Sequence, residues 1–187
     1  MSTAAHLLFS PSLELILLII AIVANGFLAY GVYRSDTRSA TNIIFALLSL
    51  FTSLWLADNY VTNNIVQNPQ YSELSLLTAR FGILFAAPMS ALFFLLAHTI
   101  PSKVILLSKR SYRVVLGSTF IMTLLNLSPF AFTGVVFEGG ALQPTPGLGL
   151  IPFAAISTLY SALAVYWLLH KYRRESGVTK KQLGLVL

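Results

Sequence analysis

Long apolar blocks, separated by short polar gaps, dominate the pattern of this chain. A helix that crosses a membrane needs about 20 predominantly apolar residues. We predict complete spans over about residues 13–33, 41–62, 74–99, 112–133 and 148–170, and the start of a sixth near residue 182. The polar gaps contain Gly, Pro and Asn, as in NNIVQNPQYS and FEGGALQPTPG, which are typical of helix breakers. The pattern therefore predicts an all-α, polytopic transmembrane helical bundle with five complete spans plus the start of a sixth.

Composition supports a membrane protein over a soluble one. Apolar residues make up 56% of the chain and charged residues 10%, and the mean hydropathy is +0.78. A soluble domain carries about 25% charged residues. The chain has no cysteine, which excludes a disulfide framework, a thiol nucleophile and a cysteine-based zinc site.

The basic residues predict the orientation of the bundle. Eleven of the 12 Lys and Arg residues follow the first, third or fifth predicted span, and none lies in the N-terminal tail or in the two remaining gaps. Because Lys and Arg accumulate on the cytoplasmic side of membrane proteins, we expect the N-terminus outside. The net charge of +6 then reflects topology and contact with the lipid bilayer, and we expect no nucleic-acid partner. The first block lacks a basic region before it, so we expect an uncleaved helix and not a signal peptide.

Two ionisable residues lie within the predicted spans. Asp58 is late in the second span, and Arg80, the twelfth basic residue, is early in the third. Both are expected in the outer third of the membrane on adjacent antiparallel helices, where they can form an ion pair. The alternative is that Arg80 extends outward alone while Asp58 lies in the headgroup layer. Both alternatives remain open from the sequence.

Small residues recur at a spacing of four on two predicted helices. Such faces allow close helix packing in membranes. They are Gly82, Ala86 and Ser90 in the third span and Ala154, Thr158 and Ala162 in the fifth. We expect them to pack against helices of the same chain, with a dimer interface as the alternative.

Catalytic and metal-binding motifs are missing from the sequence. It contains no HExxH, nucleophile elbow, phosphate-binding loop or paired carboxylates. We therefore expect no catalytic residue, no metal and no cofactor. His98 and His170 end their spans and are expected to anchor them at the membrane interface. No lysine lies mid-span to form a retinal Schiff base, which argues against a rhodopsin.

Three segments carry a resemblance to a known family. They are RSATNIIFALLSLFTSLW, ARFGILFAAPMSALFFLLAHTIPSK and FAAISTLYSALAVYWLLHKYRRESGVTKKQLGLVL. In this order of basic turns, mid-helix proline and basic exits, the chain resembles the N-terminal seven-transmembrane sensor region of bacterial histidine kinases and related signalling proteins. The resemblance covers nearly the whole chain.

This resemblance implies a membrane-embedded input module of a two-component system, located in the bacterial cytoplasmic (inner) membrane. Residues 1–187 would be a single sensor domain truncated at the C-terminus and not itself an enzyme. The missing output domain would mediate homodimerisation and contact a response regulator. Trp55, Asp58 and Arg80 are the candidate sensing residues. The alternative is a fragment of a small transporter or channel with Asp58 and Arg80 along its pathway.

Overall fold

The computed structural model describes residues 11–64, 66, 68–138 and 141–174. These residues form five α-helices, a short 3-10 turn at Pro69–Tyr71 and a two-stranded antiparallel sheet. The elements are α1 (Pro11–Ser35), α2 (Ala40–Asn64), α3 (Ser72–Thr99), α4 (Lys109–Leu127), β1 (Phe132–Glu138), β2 (Ala141–Pro146) and α5 (Leu150–Arg174).

Four of the described helices are long and apolar enough to cross a membrane, namely α1, α2, α3 and α5. Each begins and ends within four residues of a predicted span. The apolar blocks in the sequence therefore predicted the positions of these four helices correctly. The sixth span, predicted to start near residue 182, lies outside the described residues.

The fourth predicted span differs from the structure. Helix α4 ends at Leu127, and the next residue, Ser128, has extended backbone angles (φ −86°, ψ 164°). Pro129 follows, and a proline disfavours helical geometry in the residue before it. The segment beyond pairs as a β1–β2 hairpin, which suits its Val, Thr and Phe content. The chain is thus mostly helical and not all-α, and α4 is not among the four span candidates.

Helix α3 lies at the centre of the bundle and contacts α2, α4, α5 and both strands. Its last two turns, from Phe94 to Thr99, are buried without interruption. The α5 face that covers this part of α3 carries Tyr160, Ala164 and Leu168, all buried. Alanine at the central position of that face lets the two helices approach closely.

The turn between α1 and α2 is held by one side chain. Asn42 Nδ2 donates hydrogen bonds to Val32 O at 2.8 Å and to Asp36 O at 3.2 Å. Carbonyl groups at the end of a helix have no partner within the helix. Asn42 of α2 therefore supplies hydrogen bonds to carbonyl groups at the C-terminal end of α1 and holds the two helices together as an antiparallel pair.

Contacts along α3 show that the bundle has two distinct ends. Phe94 stacks on Tyr160 with ring centroids 5.5 Å apart, and Lys171 Nζ donates to Ala97 O at 2.8 Å, so α3 and α5 run parallel. Arg80, near the start of α3, donates to Phe132 O of β1 at 3.0 Å. We call these the Lys171 end and the hairpin end.

Candidate functional site

A groove of about 510 Å³ lies between α2, α3 and α5, about halfway along α2 and α3. Its walls are predominantly apolar, as in most small-molecule sites. The side chains that line it include Leu48, Trp55, Ala86, Met89, Phe93 and Phe153. Trp55, a predicted sensing residue, thus faces a space large enough for a small ligand.

Four hydroxyl groups interrupt the apolar lining of this groove, from Thr52, Ser90, Ser157 and Ser161. Thr52 donates to Leu48 O at 2.8 Å and Ser90 to Ala87 O at 3.4 Å, which leaves their oxygens able to accept. Ser157 and Ser161 on α5 have no hydrogen-bond partner among the described residues. The groove therefore suits a small, mostly apolar molecule with hydrogen-bonding groups. These two serines could not be singled out from the sequence, since isolated serines in a span belong to no motif.

Asp58 and Arg80 do not form an ion pair with each other in the described structure. Arg80 turns to the hairpin and donates to Phe132 O. Asp58 instead faces Gly82, where an added Cβ would lie 2.9 Å from Asp58 Oδ2. Positions two apart on a helix point about 200° apart. Arg80 therefore extends from one face of α3, while Asp58 of α2 contacts the opposite face at a similar depth in the bundle.

The predicted small-residue faces have different surroundings. On α3, Gly82 meets α2, and Ala86 and Ser90 line the groove between helices. On α5, Ala154 and Ala162 are exposed on the outer side of the described bundle. The face of α5 that packs inside is the one with Tyr160 and Leu168, a register that small-residue spacing alone does not reveal.

The exposed stripe of α5 includes Thr158, which lines a shallow surface groove along that helix. Within the described residues, nothing covers this stripe. The intramolecular packing expected for Ala154, Thr158 and Ala162 is thus not made by the helices that the structure describes.

The Lys171 end joins α3 to α5 through a cluster that the sequence did not reveal. His98 is buried, with ring centroids 4.4 Å from Phe94 and 5.2 Å from Trp167, and its Nδ1 lies 2.9 Å from Phe94 O. It is a core residue and not an interface anchor. Lys171 donates to Ala97 O and also to Ile100 O, so its ammonium group satisfies carbonyls at the C-terminus of α3.

Helix α5 contacts both the groove and the Lys171 end of the bundle. Helix α5 borders the groove through Ser157 and Ser161 and is fixed to α3 three turns later through Lys171. One continuous helix therefore joins the groove to the C-terminal end of α3.

Comparison with known proteins adds no family assignment: the sequence matches no family model, and no curated protein and no solved structure is significantly similar to it.

Proposed function

We propose that the chain is the membrane-embedded sensory input region of a histidine kinase in the bacterial inner membrane. An occupant of the α2–α3–α5 groove changes the packing of α5 on α3, and α5 carries the change to a cytoplasmic output domain. The groove with Trp55 on its wall is the observation that carries this proposal. A population shift between two helix packings is sufficient for such a relay.

Helix α5 is the natural carrier of the signal. Its outer half borders the groove, and its last turn contains Lys171, Arg173 and Arg174. The positive-inside rule predicts that this basic end is cytoplasmic. A ligand bound in the groove is therefore joined to the cytoplasmic side by one continuous helix.

The proposal includes α4 as a fifth crossing. Helix α4 has 19 residues and a length of about 28 Å at 1.5 Å per residue, close to the roughly 30 Å of the hydrocarbon core. It starts near the end of α3 and leads to the hairpin, which touches Arg80 near the start of α3. In the middle, Ser118 of α4 hydrogen-bonds Tyr160 of α5. These contacts support an antiparallel return across the same thickness, which keeps the basic end of α5 inside.

The kinase identity rests on the resemblance of the sequence segments to histidine kinase sensor regions. This resemblance also implies a homodimer formed through the output domain and a response regulator as the partner of that domain.

The transport alternative required Asp58 and Arg80 along a shared pathway. Since they meet opposite faces of α3, no observation favours that alternative.

Filling the groove by mutation tests the relay without knowledge of the ligand. Ser161→Phe places a ring in the groove, whereas Ala162→Phe places the same ring on the exposed side of α5. Spin labels on Val104→Cys and Arg174→Cys report the distance between the α3 and α5 ends in nanodiscs, and no native cysteine interferes. We expect S161F to shift this distance by about 2 Å, typical of helix shifts at packed interfaces, and A162F to leave it unchanged.

Equal distance distributions in S161F, A162F and the parent protein would contradict the relay. Circular dichroism of each variant should show the same helix content, so that a shift reports repacking and not unfolding. The kinase part of the proposal is tested by ATP-dependent phosphorylation of the complete gene product, which S161F should change and A162F should not.

A further inference from the structure

A second groove, of about 710 Å³, runs along the first half of α3 at the hairpin end. One helical face forms it, because positions 73, 77 and 80 recur at intervals of three and four. The residues that line it include Gln70, Tyr71, Glu73, Leu74, Leu77 and Arg80. It is separate from the α2–α3–α5 groove, with which it shares no residue.

Arg80 is an incompletely satisfied cation in this groove. A guanidinium group has five N–H donors, and Nη2 of Arg80 donates to Phe132 O at 3.0 Å. Its Nε is buried without a hydrogen-bond partner among the described residues, and its Nη1, which is not buried, has no partner among them either. No described carboxylate lies within ion-pair distance of it. A charge within a membrane span is costly without a partner, so this site favours an added anion.

Glu73 supplies the opposite charge in the same groove. It is exposed in the first turn of α3, seven residues and about 10 Å before Arg80 along the helix axis. Glu73 and Arg80 form no ion pair with each other in the part of the chain that the structure describes. The groove thus presents an anion nearer the membrane surface and a cation deeper within.

The walls between these two charges are apolar. Leu74 and Leu77 are 43% and 44% exposed. Tyr71 also lines the groove just before α3, and an aromatic ring with a hydroxyl suits the membrane interface. An apolar strip beside two separated charges matches an amphiphile with a zwitterionic head. A lipid presents its phosphate deeper and its ammonium group further out, in the same order as Arg80 and Glu73.

We propose that the Glu73–Arg80 groove binds the phosphoethanolamine headgroup of a membrane lipid, with the phosphate on Arg80 and the ammonium group on Glu73. The acyl chains lie against Leu74 and Leu77. A primary ammonium group donates hydrogen bonds to the Glu73 carboxylate, whereas the methylated ammonium of a choline lipid has no N–H to donate. Selectivity for ethanolamine over choline therefore depends on Glu73, and phosphate binding depends on Arg80.

Native mass spectrometry of the full chain, mixed with equal amounts of ethanolamine, choline and glycerol phospholipids of identical acyl chains, tests the site. We expect about tenfold more ethanolamine lipid than choline lipid retained, the effect of one charge-assisted hydrogen bond. Glu73→Gln should remove this preference and leave glycerol lipid binding equal or stronger. Glu14→Gln, the same change in the first turn of α1, is the matched control and should retain the preference.

Three results would overturn the proposal. The first is an E73Q protein that prefers ethanolamine lipid as strongly as the parent. The second is stronger retention of the glycerol lipid by the parent, which would indicate a site for anions alone. The third is displacement of the lipid by an equal concentration of soluble O-phosphoethanolamine, which would indicate a soluble ligand. Because Glu73 is exposed, E73Q is expected to fold, and the test does not depend on variants of Arg80.

Discussion

Gly147→Ala is expected to lower the free energy of unfolding by about 3 kcal/mol, the combined effect of overpacking and of two strained hydrogen bonds. An added Cβ would lie 2.2 Å from the backbone oxygen of Phe130. The surrounding backbone cannot yield cheaply, because Gly147 N–H donates to Ala131 O and Gly149 N–H donates to Phe130 O, each at 2.8 Å. These bonds fix the segment that leads from the hairpin into α5.

Gly117→Ala is the matched control for this prediction. Gly117 is exposed on α4, with no atom within 4 Å of an added Cβ, so its substitution should leave stability unchanged or raise it by up to about 1 kcal/mol. Equilibrium unfolding in SDS, followed by tryptophan fluorescence, measures both variants. If G147A were as stable as G117A, the close packing of the two segments would be disproved.

Lys171→Met should be the second most damaging change, with an expected loss of about 2 kcal/mol, in the range for hydrogen bonds to charged groups. Methionine retains an apolar stem but removes the ammonium group that donates to Ala97 O and Ile100 O. The carbonyls at the end of α3 then lose their partner and a favourable charge near the helix C-terminus. The same unfolding measurement applies.

Lys103→Met provides the comparison for Lys171. Lys103 pairs with Asp36 at 3.5 Å, but their side chains are 69% and 39% exposed. Exposed ion pairs contribute about 0–1 kcal/mol, so K103M should have a small effect. Equal losses in K171M and K103M would show that Lys171 does not hold α3 to α5.

Apolar periodicity was sufficient to predict the helices that contribute most to the fold. Helices α1, α2, α3 and α5 follow from blocks of about 20 apolar residues, and their bounds needed only small adjustment. The end of α4 was predictable in principle from Pro129. The apolar character of the hairpin segment masked that signal, because Val and Phe are equally compatible with a span and with a strand.

Rotation of each helix about its axis could not be predicted. The sequence correctly places Asp58 and Arg80 late in α2 and early in α3, but only the packed structure shows that Asp58 faces Gly82. The same reason hid the exposure of Ala162 and the role of Lys171, which depends on α3 and α5 running parallel in register. Sequence spacing locates residues along a helix, whereas tertiary packing decides which neighbour each one meets.

Thiol accessibility in intact cells tests the central claim that α4 crosses the membrane and separates the hairpin from the Lys171 end. Three exposed residues are suitable for single cysteine substitutions, namely Gln143 in β2, Val104 after α3 and Arg174 in α5. The parent chain has no cysteine. A membrane-impermeant maleimide should label Q143C from outside, while V104C and R174C should react only after the cells are opened. Labelling of Q143C and V104C from the same side would show that α4 does not cross and would contradict the proposed bundle.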